Sequence, residues 1–412
     1  MAHEITFWLT TASIILVIYH HVGYPLLLKI LVRKPLTSAV KGATTQTTPV
    51  RGYRSSANDI DLPTISVLMP AYNEEKWIAD KIRNLAALDY PSNKVHVVLA
   101  CDGCTDMTAD IARQTAEEAL CKHLNVTVIE YEHNTGKVAV INNTMPLIQG
   151  DIVALSDISA LVSIDAFYIA AHHFSDANVG VLNSRYCLIN AAEGEQKYWD
   201  YQSTIQRNEA QLGSSLGAHG ALYFIRRELF TPLAPDTIND DFVLPMQIVK
   251  KGFRADINET IQAVELEPTN AHQDFRRRLR IGAGNCQQLM RLLPLLNPLR
   301  GGIAFTFASG KGLRVLMPFF MVTALLGSAL LAPSNNFFAL AMTGQITIYL
   351  AVGLCRVAGY QPKGSIAKAL QYLVTGHTAN LIGTLRYITG LETGRWTRVS
   401  EDSKTSNKDR SL

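Results

Sequence analysis

Val95-His-Val-Val-Leu-Ala-Cys-Asp-Gly-Cys-Thr-Asp106 decides the fold. Its branched apolar residues predict a buried strand over Val95–Ala100, Asp102 and Gly103 end it in a tight turn, and Met107–Lys122 then carries helical spacing. The same unit recurs on both sides. Upstream, Ile65–Pro70 reads as a strand and Glu74–Leu88 as a helix; downstream come a strand at Val126–Glu130, a helix at Val138–Ile148 and a buried strand, Ile152–Ser156, that ends at Asp157. Such alternation predicts an α/β domain with a mostly parallel sheet flanked by helices, whose ligands sit outside the carboxyl ends of the strands. The first strand runs into Pro70-Ala-Tyr-Asn-Glu-Glu75 instead of Gly-x-Gly-x-x-Gly, and the chain holds no Gly-x-x-x-x-Gly-Lys-Ser/Thr. Both facts count against hydride transfer and against a P-loop.

Beyond this unit the chain turns apolar. Hydrophobic residues make up 48% of the 412, and the excess lies at the two ends, which is a membrane pattern. Phe7–Leu28 is uncharged and long enough for a hydrocarbon core that needs about 20 helical residues. The basic residues Lys29, Arg33 and Lys34 follow it, so it reads as a retained anchor with the next domain cytoplasmic. Leu316–Ala332 and Phe337–Leu354 predict a transmembrane hairpin around Pro333-Ser-Asn-Asn336, with Lys311 and Arg314 before it and Arg356 and Lys363 after it. Ile366–Ile388 is broken by Lys368, His377, Asn380 and Arg386, which predicts an amphipathic or re-entrant helix. The expected division is an N-terminal anchor at 1–34, a linker at 35–62, a cytoplasmic α/β domain at 63–290, an interfacial segment and transmembrane hairpin at 291–363, and the amphipathic helix with a basic tail at 364–412.

The net charge is +3, and the basic residues form no stripe interleaved with aromatics, so nucleic acid is not an expected partner. Cys101 and Cys104 make a Cys-x-x-Cys without the second pair that a structural zinc site needs.

Five signals follow one another in order: Ile65-Ser-Val-Leu-Met-Pro-Ala-Tyr-Asn-Glu-Glu75, Asp102-Gly-Cys-Thr-Asp106, Gly136-Lys137, Ser156-Asp157 and Asn239-Asp-Asp241. Together they resemble glycosyltransferase family 2 over most of residues 63 to 290. The apolar helices on either side resemble those of the family's membrane-embedded polysaccharide synthases, relatives of the cellulose, hyaluronan and poly-N-acetylglucosamine synthases. The resemblance implies a GT-A-type domain that uses a nucleotide-diphosphate sugar, most simply a UDP-sugar, with Mg²⁺ or Mn²⁺.

By that resemblance Ala71, Asn73 and Glu75 wall the uridine pocket, although acidic residues after a strand also suit the first turn of a helix. Asp102 would accept hydrogen bonds from the base or ribose, the bland alternative being an Asp turn, while Asp106 suits a helix cap. Lys137 would meet the donor phosphates or simply be solvated. Asp157 matches the first acid of the family's metal-binding Asp-x-Asp, with Ser159 in place of the second acid. Oxygen ligands of this kind suit a hard divalent ion on a diphosphate. Asp241 aligns with the general base and Asp240 is its neighbour; adjacent carboxylates raise each other's proton affinity, and capping of a helix is the alternative use.

His272-Gln-Asp-Phe-Arg-Arg-Arg-Leu-Arg-Ile-Gly-Ala-Gly-Asn285 stands where processive members carry Gln-x-x-Arg-Trp. One register uses Gln273 and Arg276 and puts Arg277 at the tryptophan; the other uses Arg277 and Arg280 and puts Ile281 there. Arginine forks suit a diphosphate in either, and a basic interfacial helix on anionic lipid is compatible with both. His219 and the Trp396-Thr-Arg398 of the tail are further acceptor-side candidates.

These features point to an inverting glycosyltransferase, integral to a bacterial inner membrane, that elongates a polysaccharide for export, with export-complex subunits as expected partners. Transfer of one sugar to a polyprenyl- or lipid-linked acceptor is the alternative within the enzyme class. A nucleotide-sugar-binding subunit without catalysis is the reading from another class.

Overall fold

The computed structural model describes residues 1–33, 61–189, 193–267, 271–360, 362 and 364–392, the side chains of 193–198, 271–274 and 365 excepted. The expected linker falls almost wholly outside the described residues, as does Trp396-Thr-Arg398.

The central strand β1 (Ile65–Ala71) is buried along its full length. Ile65, Val67, Met69 and Ala71 enter one core layer and Leu68 the other, the two-residue period of a strand covered on both faces. The next strands divide likewise: Val97, Leu99 and Cys101 of β2 (Val95–Asp102) against Val98 and Ala100, and Ala154 of β4 (Ile152–Ser156) against Val153 and Leu155. With β3 (Asn125–Tyr131), these four strands pair in parallel in the order β3-β2-β1-β4.

The sheet continues through β7 (Leu222–Arg226), β6 (Val179–Leu188), β8 (Arg254–Glu265) and β5 (Ala160–Val162). Here β7 runs antiparallel to both β4 and β6, and β5 antiparallel to β8. The sheet is thus mixed, with the expected parallel part on one side. Since β1 leads outward to β2 and β3 while β4 turns the other way, the carboxyl ends of β1 and β4 form a switch point where such sheets open a crevice.

Helices α3 (Ile78–Ala86), α4 (Thr108–Ala116), α5 (Lys137–Thr144) and α6 (Ala166–His173) connect the strands. α4 is shorter than its spacing predicts, because Cys121 and Leu124 reach the core only by turning after Ala116. α7 (Glu193–Gln211), α8 (Asp240–Lys250) and α9 (Ala271–Arg291) follow, α8 beginning with Asp240 and Asp241 and α9 carrying the arginine cluster.

Among the described residues, three helical runs are long and apolar enough to cross a membrane: Ala2–Val32, Gly302–Leu331 and Asn336–Val357. The first combines α1 (Ala2–Ile18), a π-helical turn at Tyr19–Gly23 and α2 (Tyr24–Arg33). The second combines α10 (Gly302–Thr306), another π-helical turn at Phe307–Gly312 and α11 (Leu313–Leu331), and the third is α12 (Asn336–Val357). The second begins earlier than expected, so Lys311 and Arg314 lie within it instead of ahead of it. α13 (Ser365–Ile388), the weak fourth segment, packs lengthwise on α9, where Gly282 and Gly383 let the two backbones approach.

Candidate active site

At the end of β1, Ala71 is fully buried and Asn73 adopts a left-handed backbone with φ of 55°. Its carboxamide oxygen accepts the Thr105 amide at 2.8 Å, tying the β1 end to the turn after β2. Glu75 and Asp106 exchange bonds, the Glu75 amide donating to Asp106 and the Met107 amide to Glu75, each at 3.1 Å. Asp106 also accepts the Thr108 amide at 3.1 Å, the capping role expected of it.

Asp102 is buried at the end of β2 and both its oxygens hold the turn before α5. Oδ1 accepts the Thr135 amide at 2.8 Å and Oδ2 the Gly136 amide at 2.7 Å. The carboxylate therefore fixes the start of α5, whose first residue is Lys137. The Lys137 ammonium reaches Asp157 at 2.8 Å and Asp240 at 3.7 Å.

Gly220, just before β7, is where the distant acids meet. A Cβ built there would lie 3.0 Å from Asp157 Oδ2, 3.5 Å from Lys137 Nζ and 3.6 Å from Asp241 Oδ2. A side chain there would press on the Asp157 carboxylate and touch the other two groups at ordinary contact distance, so the glycine keeps the point where they converge clear. Burial pushes the Asp157 carboxyl upward, but Lys137 outweighs it and holds the pKa below the usual range. For Lys137, burial opposes charge while Asp157 and Asp240 more than compensate, so it stays a cation. Asp241 goes the other way: burial and then the Asp240 carboxylate push it up to about 6, against the pull of Lys137. One acid is held ionised and the other is poised near neutrality, an arrangement suited to separate ligand-binding and proton-accepting roles.

Asn239 precedes α8, but its side chain makes no capping bond; it turns to α9, 3.3 Å from Gln288 Oε1. Gly284 of α9 faces it so closely that a Cβ would come within 2.3 Å of the Asn239 amide nitrogen. Gln287 accepts the Ile238 amide at 2.9 Å, and Arg291 pairs with Asp236 at 2.6 Å. α9 thus fixes the loop that delivers Asp240 and Asp241.

On α9, Arg277 lies close enough to Asp157 and His219 to alter their proton affinities and bonds the Tyr186 hydroxyl, and Arg280 acts likewise on Asp241. Arg278 stacks over Tyr372 of α13, and Arg276 and Arg277 are both exposed, Arg277 being the one whose charge reaches Asp157. The Gln273 side chain lies outside the described residues. Among the described side chains, Arg277 and Arg280 of the second register are the ones whose charge reaches Asp157 and Asp241. His219 stacks on Tyr186 with centroids 3.8 Å apart and stands edge-on to Trp199. Burial pushes it down to about 3, so at neutral pH it is an uncharged imidazole.

Several participants gave no signal in sequence. Lys81 of α3, fully buried, donates to Ser156 Oγ at 2.7 Å and to the Ala160 carbonyl, bracketing Asp157 from beneath. Ser159 bonds Glu265, so the hydroxyl at the expected second-acid position is turned to β8. The Tyr223 hydroxyl and Asp240 Oδ2 are buried without a hydrogen-bond partner among the described residues. Lysine spacing on a short helix could have hinted at Lys81 only as an oddity on an apolar face; nothing local marks Tyr223.

No group of three or more His, Cys, Asp or Glu side chains among the described residues is arranged to hold a metal alone. The oxygen chemistry of Asp157 fits a divalent ion held together with donor phosphates, the usual manner of Mg²⁺ on nucleotides, and Asp240 Oδ2, without a hydrogen bond among the described residues and 3.7 Å from Lys137 Nζ, is a second carboxylate oxygen beside the same lysine.

Comparison with known proteins bears on the family and the fold. The family described as glycosyltransferase like family 2 matches residues 63–284. A beta-monoglucosyldiacylglycerol synthase from a Nostoc species is 30% identical over 195 residues, covering 45% of this chain and 41% of the relative. A poly-beta-1,6-N-acetyl-D-glucosamine synthase from Staphylococcus aureus is 22% identical over 240 residues, 56% of this chain and 57% of the relative. The chain thus spans roughly half the length of the curated relatives it matches. A mannosyltransferase from Pyrobaculum calidifontis, solved with GDP-Man and Mn²⁺, superposes with a TM-score of 0.68 at 21% identity, covering 93% of this chain and all of that one. The chain belongs to glycosyltransferase family 2.

Proposed function

We propose that the protein transfers one sugar, with inversion, from a nucleotide-diphosphate sugar to a hydroxyl of a lipid-linked acceptor at the membrane surface. The convergence of Asp157, Lys137 and Asp241 on Gly220 carries the reading. Ala71, Asn73, Glu75 and Asp102 border the nucleotide end, Asp102 mainly by holding the Thr135–Gly136 turn. Lys137, Arg277 and Arg280 supply positive charge for the departing diphosphate. Asp241 takes the acceptor proton as the hydroxyl attacks the anomeric carbon from the face opposite the leaving group. A divalent ion, Mg²⁺ or Mn²⁺, bound through Asp157 would neutralise charge on the diphosphate.

A single transfer is favoured over polymer growth because the register that reaches the acids puts Ile281, not an aromatic platform, at the tryptophan position. The likeness to a relative named for a glucosylated lipid supports the same choice. Detergent-solubilised protein given a panel of UDP- and GDP-sugars, with and without Mn²⁺ and bacterial lipid extract, should release nucleoside diphosphate and yield a lipid carrying one added sugar. A ladder of long chains would restore the polysaccharide reading, and loss of no activity in Asp241→Asn would leave only a binding subunit.

A further inference from the structure

The second spanning helix carries two cations at its boundary with the α/β domain. Lys311 lies in the last turn of the π-helical segment Phe307–Gly312, and Arg314 is the second residue of α11. Charges in such a segment are costly unless they meet an opposite charge, and they mark functional positions there. Among the described residues neither makes an ion pair within 4.0 Å, nor does either charged group donate a hydrogen bond. The nearby acid, Glu209 of α7, is buried and accepts the Tyr24 hydroxyl at 2.8 Å. Burial raises its pKa, and Lys311 and Arg314 only partly offset this.

The place is built, and it adjoins the chemistry. The two π-helical turns face each other, Tyr19 reaching Ser309 Oγ at 2.9 Å and His20 the Ser309 carbonyl at 2.9 Å. π-turns interrupt helices mostly where function needs a displaced side chain. Lys311 Nζ lies 5.0 Å from the ring of Phe242, the residue after Asp241. Arg277 and Arg280 serve the acids from the other side, on α9. On the reading above Lys137, Arg277 and Arg280 serve the donor's phosphates; Lys311 lies near enough to Asp241 and to Arg314 for their charges to act on it, so Arg314 joins the site through Lys311.

We propose that Lys311 and Arg314 hold a phosphate group carried by the acceptor lipid, so that a hydroxyl farther along its headgroup reaches Asp241. This rests on the lipid-acceptor reading above and narrows it to phosphate-bearing lipids. A phosphate oxygen as nucleophile would need no base, whereas Asp241 lies where a proton must be taken, so the nucleophile is a hydroxyl. The hydroxyl oxygen bonds to the anomeric carbon, the bond from that carbon to the diphosphate breaks with its electron pair going to the nucleotide, and the proton passes to Asp241.

The test supplies the full chain, in neutral detergent, with labelled donor and total bacterial lipid extract, and passes the labelled lipid over an anion exchanger. The expected product is retained. Lys311→Met and Arg314→Met each raise the lipid concentration at half-saturation by about tenfold or more, as loss of a charge-assisted phosphate contact does, without a matching rise for the donor. Lys311→Arg, which keeps the charge, restores most of the difference. A retained product whose half-saturation the two methionine variants leave unchanged overturns the proposal, as does a neutral labelled lipid. Inhibition by inorganic phosphate at concentrations matching the lipid phosphate would assign the site to free phosphate and overturn the lipid source. Label in long carbohydrate chains and in no lipid would instead remove the lipid-acceptor reading itself.

Discussion

Asp241 and Lys81 illustrate how single side chains set the behaviour of the cleft. With Asp241 pushed up to about 6, kcat/KM should fall as pH drops through about 6, because the base must be ionised to accept a proton. Asp240→Asn removes the neighbouring anion and should move that acid limb to lower pH, read from the pH profile of nucleotide release. Asp241→Asn should lower kcat by about 10²–10⁴-fold with little change in donor half-saturation. The folded chain favours the protonated carboxyl, so Asp241 opposes folding increasingly between the unfolded carboxyl value near 4 and about 6, and by a constant amount above. Asp241→Asn should therefore raise the melting temperature at alkaline pH, with the gain shrinking as pH approaches about 4. For Lys81, burial lowers the pKa to about 7 while Asp157 and Glu265 oppose it. Lys81→Met should strip Ser156 and Ala160 of a donor, costing about 1–3 kcal/mol in thermal unfolding and weakening donor binding. Asp102 and Asp157 could be singled out in sequence because each follows an apolar run, and Asp241 because it closes an Asn-Asp-Asp motif like the family's; Lys81 could not, since only packing carries its ammonium beneath the β4 end.

Between elements, the contact of α9 with the start of α8 places the base. Gly284→Ala would drive a methyl group into Asn239, within 2.5 Å of three side-chain atoms, and push Asp240 and Asp241 off the cleft. Overpacking of this kind costs about 1–3 kcal/mol, so the variant should fold with a melting point lowered by some degrees yet lose most activity, separable by comparing circular-dichroism melts with turnover. Among the strands, β1, β2 and β4 were legible to within two residues at their ends because both faces are buried and their apolar runs are unbroken. β5 is three residues long, and β8 shifts register against β6 between Ser184 and Arg185, so their partners could not be read locally. Two registers of the arginine segment stayed open for a related reason. A helix with arginines at 276, 277, 278 and 280 presents charge around much of its circumference, and only docking against α13 and the cleft assigns each a side.

For the molecule as a whole, apolar side chains dominate the outer surfaces of the spanning runs; Trp8, Leu330, Leu340 and Leu350 are more than half exposed. The basic residues Lys29, Arg33, Arg356 and Lys363 predict an orientation with the α/β domain inside. A cysteine placed at Ser334, in a background whose native cysteines are replaced, should react with a membrane-impermeant maleimide in intact cells, while one at Asp89 should react only after lysis. The reverse pattern would invert the topology. The sequence by itself determined the alternating α/β class, the family likeness, the apolar ends and most of the acids, because these depend on the period of apolar residues and on short motifs at strand ends. Tertiary structure alone decided which charges share a cleft, that Asp102 holds a turn, that Lys81 lies beneath the β4 end and that Lys311 lies beside Phe242. Those outcomes depend on distances between segments far apart in the chain, and local propensity carries no information about which distant groups will meet.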